Sequence, residues 1–245
     1  MRALLGSWRA IRAIGHAFAG VATILVLFPR WSEPRRQAQV ESWSLKMLAV
    51  LGITLELHGQ PPRSGPVLLV ANHISWLDIL VMHAACYCRF VSKADVRHWP
   101  VIGTLATGGG TIYIERESRR DALRVVHHVA ERLREGDVVA VFPEGTTSDG
   151  VALLPFHANL IQAAVSAHAP AQPVALSFVE TATGAPSLTP CYIGDDTLIG
   201  SVWRTLSGPP LSAVVRYGEP QQAQGRDRRA WTADLRSAVE RLRQG

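Results

Sequence analysis

The chain has 245 residues, a length that fits one domain with a single hydrophobic core. Hydrophobic residues make up 47% of it and charged residues 18%, a composition that excludes an intrinsically disordered chain. The net charge of +5 favours a partner that carries anions, such as nucleic acid, anionic lipid or a phosphorylated substrate. The three cysteines form no CxxC pair, which argues against a disulfide scaffold or a structural zinc site and favours buried, unreactive thiols.

The first predicted element is an apolar helix near the N-terminus. Residues 13–28 contain one strongly polar side chain, His16, and are slightly short of the about 20 residues that span a bilayer. A helix that began earlier would be long enough and would carry Arg9 and Arg12, whose charged ends could reach the membrane surface. A cleaved signal peptide is the alternative, but no small-residue cleavage site follows Phe28.

A second helix is predicted over residues 40–53, because Val40, Trp43, Met47 and Leu51 fall on one helical face. We interpret residues 1–52 as a membrane-associated helical segment that either enters the bilayer or lies in its plane. Residues 53–245 then form the main domain. The alternative is a pair of ordinary helices packed on that domain.

From residue 53 onward, strand and helix signals alternate. The predicted strands are 53–59, 66–71, 89–93, 108–116 after a glycine hinge, 137–145, 173–180 and 211–218. The predicted helices are 77–86, 117–136, 157–168, 197–206 and 227–244. Most strand runs are continuously apolar, which predicts an α/β fold, a mostly parallel central sheet with helices on both faces. Ligands of such sheets bind beyond the carboxyl ends of the strands, where the turns after 66–71 and 137–145 lie.

The first of these turns places His73 five residues before Asp78, in the stretch LLVANHISWLDIL. An imidazole at the edge of a sheet can accept a proton near neutral pH, and a carboxylate on its other nitrogen would fix the tautomer. The competing interpretation is structural. The stretch from Ser75 to Asp78 resembles a capping box, in which Asp78 would only stabilise the start of a helix.

The second turn is VFPEGTTSDG, residues 141–150. Glu144 could accept a hydrogen bond from a substrate hydroxyl, and Gly145 allows close approach of the backbone. Thr146 and Thr147 supply hydroxyl and main-chain donors for an anion. The structural alternative is an ordinary capped turn. Arg116 ends another predicted strand, so all three groups lie at strand ends.

Several common sites are excluded by their missing motifs. The sequence contains no GxSxG, no HExxH and no lysine preceded by glycine, which removes the common serine hydrolase, zincin and P-loop sites. The triple glycine at 108–110 lacks the last glycine of GxGxxG.

Taken together, these stretches resemble the lysophospholipid acyltransferase family, typified by 1-acyl-sn-glycerol-3-phosphate acyltransferases. The resemblance covers about residues 50–220, and two of its motifs occur in order at suitable separation. The matching stretches are NHISWLD (72–78), RHWPVIG (97–103), GTIYIER (110–116), FPEGT (142–146), PVALSF (173–178) and RYGEP (216–220).

The resemblance implies transfer of a fatty acyl group from acyl-CoA or acyl-ACP to a lysolipid hydroxyl. It implies that His73 is the general base and Asp78 its orienting carboxylate. Arg116, Glu144 and Gly145 would bind the headgroup and glycerol of the acceptor. No covalent acyl-enzyme, metal or cofactor is implied.

The sequence departs from the family at one position. Members that use glycerol phosphate usually carry arginine directly after FPEGT, where this chain has Thr147. A phosphate would then rely more on Arg116 and on Lys93. We place lysophosphatidate first as acceptor, giving phosphatidic acid, and a lyso-ornithine lipid second, because relatives with EGTT in the third motif act on such lipids.

Two readings of other classes stay open. One is a catalytically silent lipid-binding or scaffold protein with the same fold, and the other is a thioesterase. The expected partners are the lysolipid acceptor, the thioester donor and membrane lipid, with no nucleic acid. The thioester donor and the unpaired cysteines place the catalytic domain on the cytoplasmic face of the inner membrane.

Overall fold

The computed structural model of the protein describes residues 2–115 and 119–245. The helices are α1 (Arg2–Val26), α2 (Glu33–Leu51), α3 (Leu77–Ala85), α4 (Ile102–Gly108), α5 (Arg119–Arg134), α6 (Ile161–Ala167), α7 (Leu198–Ser207) and α8 (Arg228–Gln244). The strands are β1 (Ile53–His58), β2 (Val67–Ala71), β3 (Arg89–Lys93), β4 (Ile112–Ile114), β5 (Val138–Val141), β6 (Ala171–Glu180) and β7 (Leu211–Tyr217).

Within the described residues, seven strands form one sheet in the order β1-β7-β6-β2-β5-β3-β4. The strands β6, β2, β5, β3 and β4 run parallel to one another, whereas β7 pairs antiparallel with β6 and carries β1 alongside it in parallel. The predicted α/β fold, with its mostly parallel sheet, is therefore confirmed. Because β7 runs antiparallel to β6, the parallel strand ends that could form a site lie in the half of the sheet made of β6, β2, β5, β3 and β4.

Helices cover both faces of the sheet because side chains of each buried strand alternate between the faces. Leu69 and Ala71 of β2 pack into a core with α2, α3 and α7. Leu68 and Val70 of the same strand pack into a second core with α5, α6 and α8. The continuous apolar run of β2, buried at every position, follows from this double coverage.

The apolar helix α1 lies outside the layer of α2 and α7 and is docked along much of its length. Arg9 is only 8% exposed. Its Nη1 donates to the main-chain oxygens of Leu206 and Gly208, at 3.1 and 3.3 Å, where α7 ends. Further along, Trp43 of α2 donates to the oxygen of His16 at 3.1 Å. The His16 side chain also contacts α2, with its Nε2 3.0 Å from the main-chain oxygen of Trp43, so the side chains of Arg9 and His16 both bind the domain.

Among the described residues, the sequence pattern gave no signal for the helix α4 or for the 3₁₀ turns Phe28–Arg30 and Ala94–His98. This short helix contains two glycines, which weaken any propensity signal. Tertiary packing explains the glycine at position 108, because a Cβ there would lie 2.4 Å from Cδ1 of Ile24 in α1. The predicted glycine hinge at 108–110 is thus partly the end of a helix on which α1 rests.

The cysteines behave as expected from their unpaired sequence pattern. Cys86, Cys88 and Cys191 are buried free thiols. Burial raises the pKa of Cys86 and of Cys191 to about 11, and that of Cys88 also rises. Thiols held protonated in this way are poor nucleophiles, so a cysteine-based reaction is not supported.

Candidate active site

The site forms where two neighbouring parallel strands end. Val70 of β2 lies opposite Val141 of β5, so the turns that follow both strands leave the sheet at the same edge. Asn72 ties this edge to β6, since its Nδ2 donates to the oxygen of Leu176 at 3.0 Å and its Oδ1 accepts from the Leu176 amide at 2.7 Å. The chain therefore delivers His73 and the FPEG turn to one place.

His73 and Asp78 are paired. His73 Nδ1 lies 2.8 Å from Asp78 Oδ2, the histidine side chain is 19% exposed and the aspartate is fully buried. Because a carboxylate only accepts, Nδ1 donates to it, and in the neutral imidazole Nε2 is then the nitrogen with the free lone pair. In the described part of the chain Nε2 has no hydrogen-bond partner, so it is available to a substrate.

Asp78 also stabilises the turn into α3. The same Oδ2 accepts from the main-chain N–H groups of Ile74 and Ser75, at 2.7 and 2.9 Å. Ser75 Oγ accepts from the amide of Leu77 at 3.2 Å. The two interpretations of this stretch are therefore compatible: one carboxylate oxygen serves the start of the helix and also holds the imidazole.

A stack of aromatic rings packs against one face of the His73 imidazole and holds its orientation. Phe142 stacks on His73 with ring centroids 4.0 Å apart and an interplanar angle of 9°. Phe90 of β3 stacks in turn on Phe142 at 5.7 Å. Phe142 was not among the residues expected to act, because a phenylalanine at the end of an apolar strand looks like any other core residue.

Glu144 lies in the same turn, but it faces inward and is 3% exposed. Its Oε1 accepts from the main-chain N–H of His73 at 2.7 Å, and its Oε2 accepts from that of Leu154 at 3.0 Å. Burial raises the pKa of Glu144, while these two N–H groups act in the opposite direction. Sequence reasoning expected Glu144 at the acceptor and gave no sign of the link to Leu154.

The other expected binding residues differ in accessibility. Gly145, with φ of +73°, and Thr146 are exposed in the turn between Glu144 and Ser148, both of which bind the main chain of His73. The hydroxyl of Thr147 donates to the main-chain oxygen of Tyr192, which fastens the segment around Tyr192 to this turn. Lys93 is exposed at the end of β3, two strands from β2. Arg116 lies outside the described residues.

Comparison with known proteins identifies the family. A family model described as Acyltransferase matches residues 53–177, which contain both turns of the site. The chain belongs to the acyltransferase family. It is an acyltransferase enzyme, and the resemblance to lysophospholipid acyltransferases is confirmed.

Relatives of this acyltransferase carry two different substrate names. It is 38% identical over 206 residues to the lyso-ornithine lipid O-acyltransferase of Pseudomonas aeruginosa, covering 84% of this chain and 78% of the relative. It is 40% identical over 187 residues to the 1-acyl-sn-glycerol-3-phosphate acyltransferase of Neisseria meningitidis, covering 76% and 72% of the two chains. The crystal structure of the 1-acyl-sn-glycerophosphate acyltransferase PlsC of Thermotoga maritima matches all of this chain and 97% of its own, with a TM-score of 0.72 and 19% identity, which supports the fold.

Proposed function

We propose that the protein transfers a fatty acyl group from a thioester, acyl-CoA or acyl-ACP, to the free hydroxyl of a lysolipid. The observation that carries this proposal is the His73–Asp78 pair at the sheet edge, with Nε2 unpartnered in the described residues. Beside it, Gly145 and Thr146 offer an exposed turn to the acceptor.

The reaction needs a base and then an acid at one place, and His73 can supply both. Nε2 takes the proton of the lysolipid hydroxyl as its oxygen attacks the thioester carbonyl carbon. The imidazolium formed is stabilised by the Asp78 carboxylate at Nδ1. When the carbon–sulfur bond breaks, the imidazolium returns its proton to the leaving thiolate. Such a positioned base supplies about 10²–10⁴-fold in rate, and the alignment of the two substrates provides much of the remainder.

The first candidate acceptor is 1-acyl-sn-glycerol-3-phosphate, and the product is then phosphatidic acid. The Neisseria relative is named for this substrate. The main-chain N–H of Thr146 in the exposed turn offers a donor for a phosphate, since that of Gly145 is bound to Phe142, and Lys93 at the end of β3 offers positive charge.

The second candidate acceptor is a lyso-ornithine lipid, and Thr147 favours it. The hydroxyl of Thr147 is used in the bond to Tyr192, so this position supplies neither charge nor a free hydroxyl to a phosphate. The Pseudomonas relative, which aligns with 84% of this chain, is named for that lipid.

Acceptor competition tests this choice. Given equal concentrations of the two acceptors, the purified enzyme is expected to acylate lysophosphatidate with the higher kcat/KM, measured by chromatography of the labelled products. Thr147→Arg, which adds a charge at the phosphate position, is expected to increase that preference by about 10-fold, in the range of a hydrogen bond to a charged group. Thr147→Val is the matched control because it removes the bond to Tyr192 without adding charge. Preference for the lyso-ornithine lipid in the unchanged enzyme would reverse the assignment.

We also propose that α1 lies in the plane of the membrane and keeps its contacts with the domain. Within the described residues, one helical region, Arg2–Arg30, is long and apolar enough to cross a bilayer. Yet α1 is bound through Arg9 to the end of α7 and through His16 to α2. Its outer face exposes large apolar side chains, including Trp8, Ile11 and Phe18, which would enter the headgroup and acyl boundary.

A vesicle-binding experiment tests the membrane face. The double variant Ile11→Asp and Phe18→Asp is expected to lose about 100-fold or more in affinity for anionic vesicles, since each buried side chain contributes about 1.5–3 kcal/mol. Leu123→Asp is the matched control, because Leu123 is 71% exposed on α5, across the sheet from α1. Equal vesicle binding by all three proteins would reject this face.

The cytoplasmic placement predicts that protease added to inside-out vesicles cleaves the domain, whereas protection would place it on the other side.

A further inference from the structure

We infer that Glu144 acts as a positioning residue for His73 and that the acceptor does not bind its carboxylate. The inference rests on the proposed role of His73 as the base. The FPEG turn then has two roles. It positions the base through Glu144, and it faces the substrate through Gly145 and Thr146.

Both oxygens of Glu144 are occupied by main-chain N–H groups from separate parts of the chain. Oε1 binds the N–H of His73 at 2.7 Å and Oε2 binds the N–H of Leu154 at 3.0 Å. With 3% of the residue exposed, an acceptor headgroup has almost no surface of Glu144 to touch. A buried carboxylate that accepts hydrogen bonds from two main-chain N–H groups links their two segments through charge-assisted hydrogen bonds.

The remaining contacts of His73 show which of its other groups this turn holds in place. The His73 carbonyl oxygen accepts from the Ser148 amide at 2.9 Å. The His73 ring lies against Phe142. Thus one turn, residues 142–148, holds the N–H, the C=O and one ring face of His73. Among the described residues, only the Nδ1 bond to Asp78 comes from elsewhere.

This arrangement matters because a general base works only at the right distance and angle. A misplacement of about 1 Å of a reacting group can cost about 10²-fold in rate. Removing the Glu144 acceptor would leave the His73 amide buried and unsatisfied, so the turn would shift to find another partner. The expected consequence is a slower chemical step and little change in acceptor binding.

The first test is Glu144→Gln, which keeps the shape of the side chain. An amide can accept through its oxygen but presents donors at its nitrogen, so it cannot accept from both N–H groups. The expected result is a fall of kcat by about 10–100-fold, with KM for the lysolipid within about 3-fold of the original. A large rise of KM with kcat retained at saturating lysolipid would overturn the inference, because that is the result of a lost binding contact.

A double-mutant cycle with His73→Ala provides the decisive readout. If Glu144 acts through His73, then Glu144→Gln has no further effect on the residual turnover of His73→Ala. Lysolipid binding, measured directly on His73→Ala and on the double variant, is expected to be equal within about 3-fold. If the losses of turnover in the two single variants multiply in the double variant, or if the double variant binds lysolipid much more weakly, the inference is overturned.

The same experiment separates this inference from the proposed function. Full turnover by His73→Ala would reject the base itself. Inactive His73→Ala, together with weakened lysolipid binding in the double variant, would reject only the role of Glu144. If Glu144→Gln fails to fold, as judged by circular dichroism, Glu144→Asp keeps the charge and replaces it in both measurements, with the same expected separation of kcat from KM.

Discussion

Replacing His73 with alanine is expected to lower kcat by about 10²–10⁴-fold, because the variant loses the imidazole whose Nδ1 is bound to a carboxylate and whose Nε2 can accept the proton at this sheet edge. The fold should persist, since the side chain is partly exposed and its removal costs one hydrogen bond and one ring contact. Turnover is measured as thiol release from acyl-CoA in the presence of lysolipid, and folding by thermal unfolding followed by circular dichroism.

His58→Ala is the matched control for this variant. His58 is an exposed histidine on the edge strand β1, and its removal should leave turnover unchanged. A His73→Ala protein that folds and retains the original kcat would contradict the proposed mechanism. Thiol release at the same rate without lysolipid would instead indicate a thioesterase, and no thiol release by the unchanged protein with either acceptor would favour a lipid-binding protein without catalysis.

Much of the fold could be predicted from the sequence because its signals are local. The continuous apolar run of β2, for example, predicts a buried strand without reference to the rest of the chain. In contrast, α4 owes its stability to contacts such as that of Gly108 with Ile24, which no local pattern records. The division of the chain at residue 52 stays a prediction, although Leu48 and Leu51 of α2 belong to the same core as α3 and the sheet.

The site was predictable to a similar degree. The offset from His73 to Asp78 could be recognised because both residues lie on one short turn, and the two strand ends could be placed together by the topology of parallel sheets. The burial of Glu144 could not be seen, since its partners are main-chain groups, one of them at Leu154 in the following loop. Main-chain donors leave no trace in the identity of the residues that carry them.

Asparagine and alanine at position 78 are expected to separate catalysis from helix capping, the two tasks that Asp78 performs. Asp78→Asn can keep its oxygen in the place of Oδ2 and accept from Ile74, Ser75 and His73, but it lacks the charge that stabilises the imidazolium. Its kcat should therefore fall by about 10²–10⁴-fold, as for loss of the base, while thermal stability changes little.

Asp78→Ala removes the acceptor altogether. The main-chain N–H groups of Ile74 and Ser75 then lose their partner in a buried turn, at a cost of about 1–3 kcal/mol each, so this variant should be clearly less stable as well as inactive. An active Asp78→Asn beside an unfolded Asp78→Ala would mean that the carboxylate only caps α3, and His73 would then have to act without a charged partner. The comparison works because both tasks meet at one oxygen, Oδ2, and only one of them needs its charge.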